Sequence, residues 1–245
     1  MMKNDKNIWL RLLLKMPSLI FGFFLSALST LLTLYASLGM SPWDVFHMGI
    51  VNHSSLSLGQ TSVVVGLGII LLSLLLGIVP GIGSIFNMIL IGCFIDLINK
   101  TGILKTPGSM IGKLLMLVAA IITMAMATYF YLRVELGAGP RDGLMEGLVI
   151  KLNKPVWLIR GSIEITVLII GFMFGGPVGI GTLLLAVAIG PLVQFAFKIG
   201  QYDPRKAQHM TLIDLYRDIE GINNIGKSET KITDKINHSY DKISS

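Results

Sequence analysis

The chain has one cysteine, Cys93, among its 245 residues, so it makes no intrachain disulfide and holds no thiolate metal cluster. Charge is scarce as well. Charged residues make up 14% of the chain, where a soluble globular domain carries about 25%. The signatures of catalysis are missing: there is no GxSxG, no HExxH, no DxxD pair within an apolar run and no well-placed Ser/Lys dyad. An enzyme is not expected, and neither is a cofactor. Gly81-x-Gly83 and Gly179-x-Gly181 resemble pieces of a nucleotide loop, but no strand precedes them and no further Gly or Lys completes the pattern. His47 and His53 stand six apart, which is not the spacing of a helical metal pair, so no metal site is expected there.

Apolar sequence is what the chain has in plenty. Hydrophobic residues are 53% of it, with a mean hydropathy of +0.73. The runs approach the ~20 residues needed to cross a bilayer. The first is too long for a signal peptide and lacks a small-residue cleavage site, so it reads as a first span. Six spans are expected, at about 16–37, 58–77, 82–98, 110–132, 156–174 and 178–197. The formal charge of +6 then reflects basic flanks and tail rather than a nucleic-acid surface.

One stretch is written twice. Leu38–Asp44 reads LGMSPWD and Leu136–Asp142 reads LGAGPRD, at an offset of 142 − 44 = 98. At that offset Gly49 meets Gly147, Gly77 meets Gly175, Gly81 and Gly83 meet Gly179 and Gly181, and Gly92 meets Gly190. Leu and Ile matches are cheap in an apolar chain, but Gly, Pro and Asp in one ungapped register mark an internal duplication. The organisation expected is an N-terminal segment 1–15, membrane repeat 16–98, linker 99–109, membrane repeat 110–197 and tail 198–245. A short helix is expected within 211–220, and no fixed structure after 221.

Each motif looks like a helix start. Ser41 and Gly139 take the cap position, Pro42 and Pro140 the first turn, and Asp44 and Asp142 the third helical position. The helices they open, about 42–55 and 140–152, are too short to span. The fold class expected is therefore all-α: six transmembrane helices as two three-span repeats, each with a short broken or re-entrant helix. Lys and Arg counts favour cytoplasmic termini, with four in 1–16, five in 133–160 and eight from Lys198 onward, against none in 38–57, three in 99–113 and none in 175–180. Three spans per copy is an odd number, so the second copy enters the membrane inverted. Secondary transporters commonly share this architecture.

Asp44 and Asp142 have two readings: acids that complement a helix start, or acids that line a cavity and meet a cation, a proton or a substrate amine. Glu164 falls in the middle of a span, where an unpaired carboxylate facing lipid costs at least ~2.5 kcal/mol. Arg160, four residues earlier, is its expected partner. Glu164 is either half of an internal ion pair or a coupling acid. Arg141 serves topology or binds an anion, and Trp43 reads more readily as an interface anchor than as a stacking platform. His47 is a secondary proton-relay candidate, and Asp96 sits near a membrane face or in the site. The paired glycines suit close helix packing and hinge motion.

The motifs LGxxPWD, GxVPGxG, LGxGPRDG and GGPVGIGT resemble those of the YczE/YyaS/YitT group of bacterial integral membrane proteins, over about residues 15–200 and closest to its YczE-like branch. The resemblance implies a bacterial inner-membrane protein with a transport or export role, and it supplies no substrate or catalytic residues. A small-solute transporter is the first expectation. A capture subunit of a larger transporter, or a non-transporting membrane scaffold or regulator working through its tail, are the alternatives. The bilayer and a small-molecule solute are the expected partners, nucleic acid is not, and self-association is left open.

Overall fold

A computed structural model describes residues 8–137, 139–202 and 212. These residues form eight α-helices: α1 (Ile8–Ala36), α2 (Pro42–Val51), α3 (Leu58–Leu75), α4 (Ile82–Lys100), α5 (Met110–Leu132), α6 (Pro140–Leu152), α7 (Val156–Met173) and α8 (Ile180–Ile199). Six are long and apolar enough to cross a membrane: all but α2 and α6. In hydrocarbon every backbone N–H and C=O must be satisfied within the chain, and a helix does this within one segment. Helix starts that leave this regime carry their own caps. Ser57 and Gln60 form a capping box at α3, and Ser109 accepts from the Gly112 amide at α5. The helix expected within 211–220 and the tail from 221 lie outside the described residues, apart from Leu212. The Leu212 amide donates to the Pro80 carbonyl in the α3–α4 turn at 3.1 Å.

Two boundaries differ from the sequence expectation by more than two residues. Helix α1 begins at Ile8, inside the segment assigned to a polar N-terminus, and runs through Pro17. Proline costs a helix one backbone bond and a clash with the preceding turn. Pro17 is the tenth of the 29 residues of α1, and two residues before it the Lys15 ammonium reaches across to the Val134 carbonyl at 2.7 Å. Helix α2 stops at Val51 rather than 55. The next residue, Asn52, turns its side chain to the Gly175 carbonyl at 2.9 Å and so ties the helix end to the α7–α8 turn.

The centre is the α1–α5 pair, packed along its length. Gly22 brings α1 against the Tyr131 backbone, and Ser29 donates to the Ala120 carbonyl at 2.8 Å. Leu19, Phe23, Val134 and Leu136 fill one end of the core, and Ala36, Leu117, Ile121 and Leu185 the other. Small residues matter here because transmembrane helices associate through close packing rather than through the hydrophobic effect.

The two copies match in backbone. Pro42, Leu58 and Ile82 open helices, and so do Pro140, Val156 and Ile180, each 98 residues on. Before the short helices, Ser37 and Gly39 have φ of 53° and 106°, and Glu135 and Gly137 have 57° and 120°. Gly77 and Gly175 both have φ of 76°. The copies also trade contacts. The Gly83 amide at the start of α4 donates to the Leu136 carbonyl at 2.7 Å, and the Gly181 amide at the start of α8 donates to the Leu38 carbonyl at 2.6 Å. Likewise α2 packs on α7, and α6 on α3.

Candidate functional site

The start of α2 is fixed by its own first turn. Ser41 Oγ accepts from the Asp44 amide at 3.3 Å and donates to Asp44 Oδ2 at 2.6 Å. This holds the carboxylate inward, where it is 5% exposed. One turn later His47 is 1% exposed, its Nδ1 3.8 Å from Asp44 Oδ1. On its other side Nε2 faces Arg141 Nη2 at 3.4 Å. A guanidinium nitrogen can only donate, so Nε2 is the acceptor. The imidazole proton then sits on Nδ1, toward Asp44.

Arg141 is the second residue of α6. Its guanidinium carbon lies 4.8 Å from the centre of the Trp43 ring. The carboxylate after it, Asp142, accepts from the Tyr131 hydroxyl at 3.1 Å. On α7, Arg160 Nε and Glu164 Oε1 form the expected ion pair at 2.9 Å, with the side chains 54% and 32% exposed. This pair is no separate island: Arg160 also feels Asp142, and Arg141 feels Asp44, Asp142 and Glu164. Asp44, Asp142, Glu164, Arg141, Arg160, Trp43 and His47 thus gather in one region where the two short helices begin.

Electrostatics at the α2 end follow from burial. Burial raises the Asp44 carboxyl above its ordinary value, and the Arg141 charge and the Ser41 hydrogen bond oppose it. Burial holds His47 well below the usual imidazole value, and Arg141 pushes the same way. His47 is therefore neutral at pH 7, which its role as acceptor from Arg141 requires.

Other candidates lie elsewhere or play a different part. Trp43, read as an interface anchor or a stacking platform, has the Arg141 guanidinium over its ring. Trp157, at the start of α7, is 74% exposed. Asp96 stands outside the cluster, accepting from Ser57 Oγ at 2.6 Å and from the Gly59 amide at 3.1 Å. His53 faces its own helix, Nδ1 3.0 Å from the Gly49 carbonyl, with Phe174 against its ring. Gly83 and Gly181 carry the traded hydrogen bonds, and Gly81 and Gly179 lie against Gly137 and Gly39. Among the described residues no group of three His, Cys, Asp or Glu side chains is placed to hold a metal ion. Tyr131 is the member that sequence reading missed. Its counterpart at the repeat offset is Thr33, so no duplicated pattern draws attention to it.

Comparison with known proteins gives relatives of the same length range. A protein of Haemophilus influenzae called "Uncharacterized protein" is 32% identical over 193 residues, covering 79% of this chain and 88% of the relative. The "Uncharacterized membrane protein YczE" of Bacillus subtilis is 35% identical over 177 residues, covering 71% and 81%. The "Uncharacterized protein YyaS" of the same organism is 27% identical over 190 residues, covering 72% and 88%. No solved structure matches. With six candidate spans and these relatives, the chain is a YczE-like, multi-span helical membrane protein. It belongs to the family described as a family of unknown function (DUF6198), whose model matches residues 13–198.

Proposed function

We propose that the protein is a small-solute transporter or exporter of the bacterial cytoplasmic membrane, working as two inverted three-span repeats. The observation that carries this reading is the meeting of Trp43 and Arg141. They occupy one position in the two copies, since 141 − 43 = 98, and they touch. Equivalent residues in contact lie astride the axis that relates their repeats. The reciprocal bonds Gly83 to Leu136 and Gly181 to Leu38 support the same twofold relation.

In this reading both termini are cytoplasmic. Helix α2 dips in from outside and α6 from inside, and their N-termini converge on a charged cluster. Half-helix N-termini meeting at a polar site between repeats is a recurring design of alternating-access carriers. Asp44, Asp142, Glu164, Arg141 and Arg160 are the solute- or proton-coupling groups, His47 is the relay residue that exchanges a proton with Asp44 while its Nε2 accepts from Arg141, and the glycines of the traded contacts serve packing. No covalent chemistry is assigned to the protein.

The test works with the solute unidentified. Proteoliposomes are incubated with the small-molecule fraction of a bacterial extract, and their contents are compared by mass spectrometry. Wild-type vesicles accumulate or lose at least one solute that vesicles of Arg141→Ala do not. Identical contents would overturn the proposal. Orientation is checked separately in a Cys93→Ser background. An impermeant thiol reagent labels Asp44→Cys only from outside and Asp142→Cys only from inside; labelling of both from one side rejects the inversion.

A further inference from the structure

The two hairpins that complete the copies are in different states. In the first copy α3 and α4 lie packed together. A Cβ on Gly92 would meet Val63 Cγ2 at 2.5 Å and the Gly59 carbonyl at 2.6 Å, and one on Gly66 would meet Met88 Cγ at 2.6 Å. Asp96 of α4 clasps the start of α3 by accepting from Ser57 Oγ and the Gly59 amide. In the second copy the same positions, 98 residues on, read Pro155 for Ser57, Trp157 for Gly59, Gly161 for Val63, Glu164 for Gly66, Gly190 for Gly92 and Gln194 for Asp96. The clasp is gone: proline has no hydroxyl and glutamine no charge. Helix α7 packs on α2 and α6, and α8 on α5, but α7 and α8 barely meet. A Cβ on either Gly161 or Gly190 would touch nothing within 4 Å.

Trp157, Gly161 and Glu164 share one face of α7, by the i, i+4, i+7 spacing. This is the face that α3 turns to α4 in the first copy. The parted seam is thus walled by Glu164 and its partner Arg160, and these two are in electrostatic reach of Arg141 and Asp142. We infer that the α7–α8 seam is the doorway to the charged cluster, open to the cytoplasmic side in this structure, and that the Asp96–Ser57 clasp is the latch holding the opposite, α3–α4, doorway shut. The inference rests on the transporter reading. Closing the seam on the pattern of α3–α4 brings Gly161 against Gly190, and releasing the clasp opens the other side.

The test uses the full chain with Cys93→Ser and an impermeant maleimide on cells and inverted vesicles. Gly161→Cys, in open space, labels from the cytoplasmic side, and Val63→Cys resists label from outside. Adding Asp96→Asn speeds Val63→Cys labelling from outside by about tenfold, the scale set by losing a charge-assisted hydrogen bond. Ser57→Ala, which breaks the same clasp from the other helix, has the same effect and guards against a misfolded Asp96 variant. A Gly161→Cys that resists the reagent, or a Val63→Cys rate unmoved by both clasp variants, overturns the inference. The readout involves no solute. If the labelling pattern holds while solute contents match those of Arg141→Ala, the transporter reading fails and the two-state seam stands. If contents differ but labelling fails, the doorway is wrong and the transporter reading stands.

Discussion

Trp43 and Arg141 hold the same place in two copies of one motif, and the guanidinium of one lies 4.8 Å over the ring of the other. The copies have diverged at the point where they meet, from a shared position to a complementary pair. A cation held over an indole away from water is worth about 2 kcal/mol. Trp43→Leu and Arg141→Met are each expected to lower thermal stability in detergent, with a coupling of ~1–2 kcal/mol in the double variant. Because the positions are equivalent, the exchange Trp43→Arg with Arg141→Trp is expected to recover part of what either single exchange loses. Strict additivity across these variants would show that the contact carries no energy of its own.

His47 sets a pH dependence. Its imidazole is held well below 6.5 in the folded protein, by burial first and by Arg141 second. The unfolded state therefore takes up the proton first, as pH falls below about 6.5. Stability is full above that pH and declines below it, by at most about 1.4 kcal/mol per pH unit for one group. Thermal melts of the detergent-solubilised protein between pH 7 and pH 5 are expected to show the decline. His47→Gln is expected to flatten it, and an unchanged slope would assign it to other groups.

Gly39 and Gly137 have φ of +106° and +120°, where a side chain is strained, and both also lack room. A Cβ on Gly39 would sit 2.5 Å from the Gly179 amide nitrogen, and one on Gly137 2.9 Å from Gly81 Cα. Alanine at either position is expected to cost about 1–3 kcal/mol from backbone strain alone and to reduce the monodisperse yield on size exclusion. Gly68, in α3 with open space around it, is the control: Gly68→Ala is expected to be neutral or to gain up to about 1 kcal/mol. Equal losses at all three sites would refute the argument.

Glu164 separates folding from function. Its pair with Arg160 is partly exposed, so Glu164→Gln is expected to change stability by less than about 1 kcal/mol. The same variant is expected to erase the solute difference between wild-type and empty vesicles. A large loss of stability would make the pair structural.

Much of the fold was legible because Gly, Pro and Asp report backbone needs that apolar residues do not. The register of Gly77 with Gly175 gave two turns that share one φ. Pro42 and Pro140 each proved to open a helix. The start of α1 was not legible: Lys and Arg mark where a span meets water, and a helix continues past that point. The site was partly legible. Arg160 and Glu164 meet within one helix, which spacing alone predicts. The contact of Arg141 with Trp43 and His47 joins segments almost a hundred residues apart, and a tryptophan opposite an arginine looks in sequence like lost similarity. Tyr131 stayed hidden because nothing in its local pattern distinguishes it from other aromatics at a span end.

The traded bonds from Gly83 to Leu136 and from Gly181 to Leu38 bear on how the chain is made. A three-helix copy is an unfinished object: the amide that opens its last span finds its acceptor only in the other copy. During synthesis Gly83 is made 53 residues before Leu136, the residue whose carbonyl accepts from its amide. An ancestor encoding one copy would have faced the same shortage, and a twofold pair with a second molecule of itself would meet it, each copy supplying the acceptor that the other lacks. The fused chain keeps both partners at hand, and each half serves as the assembly template for the other.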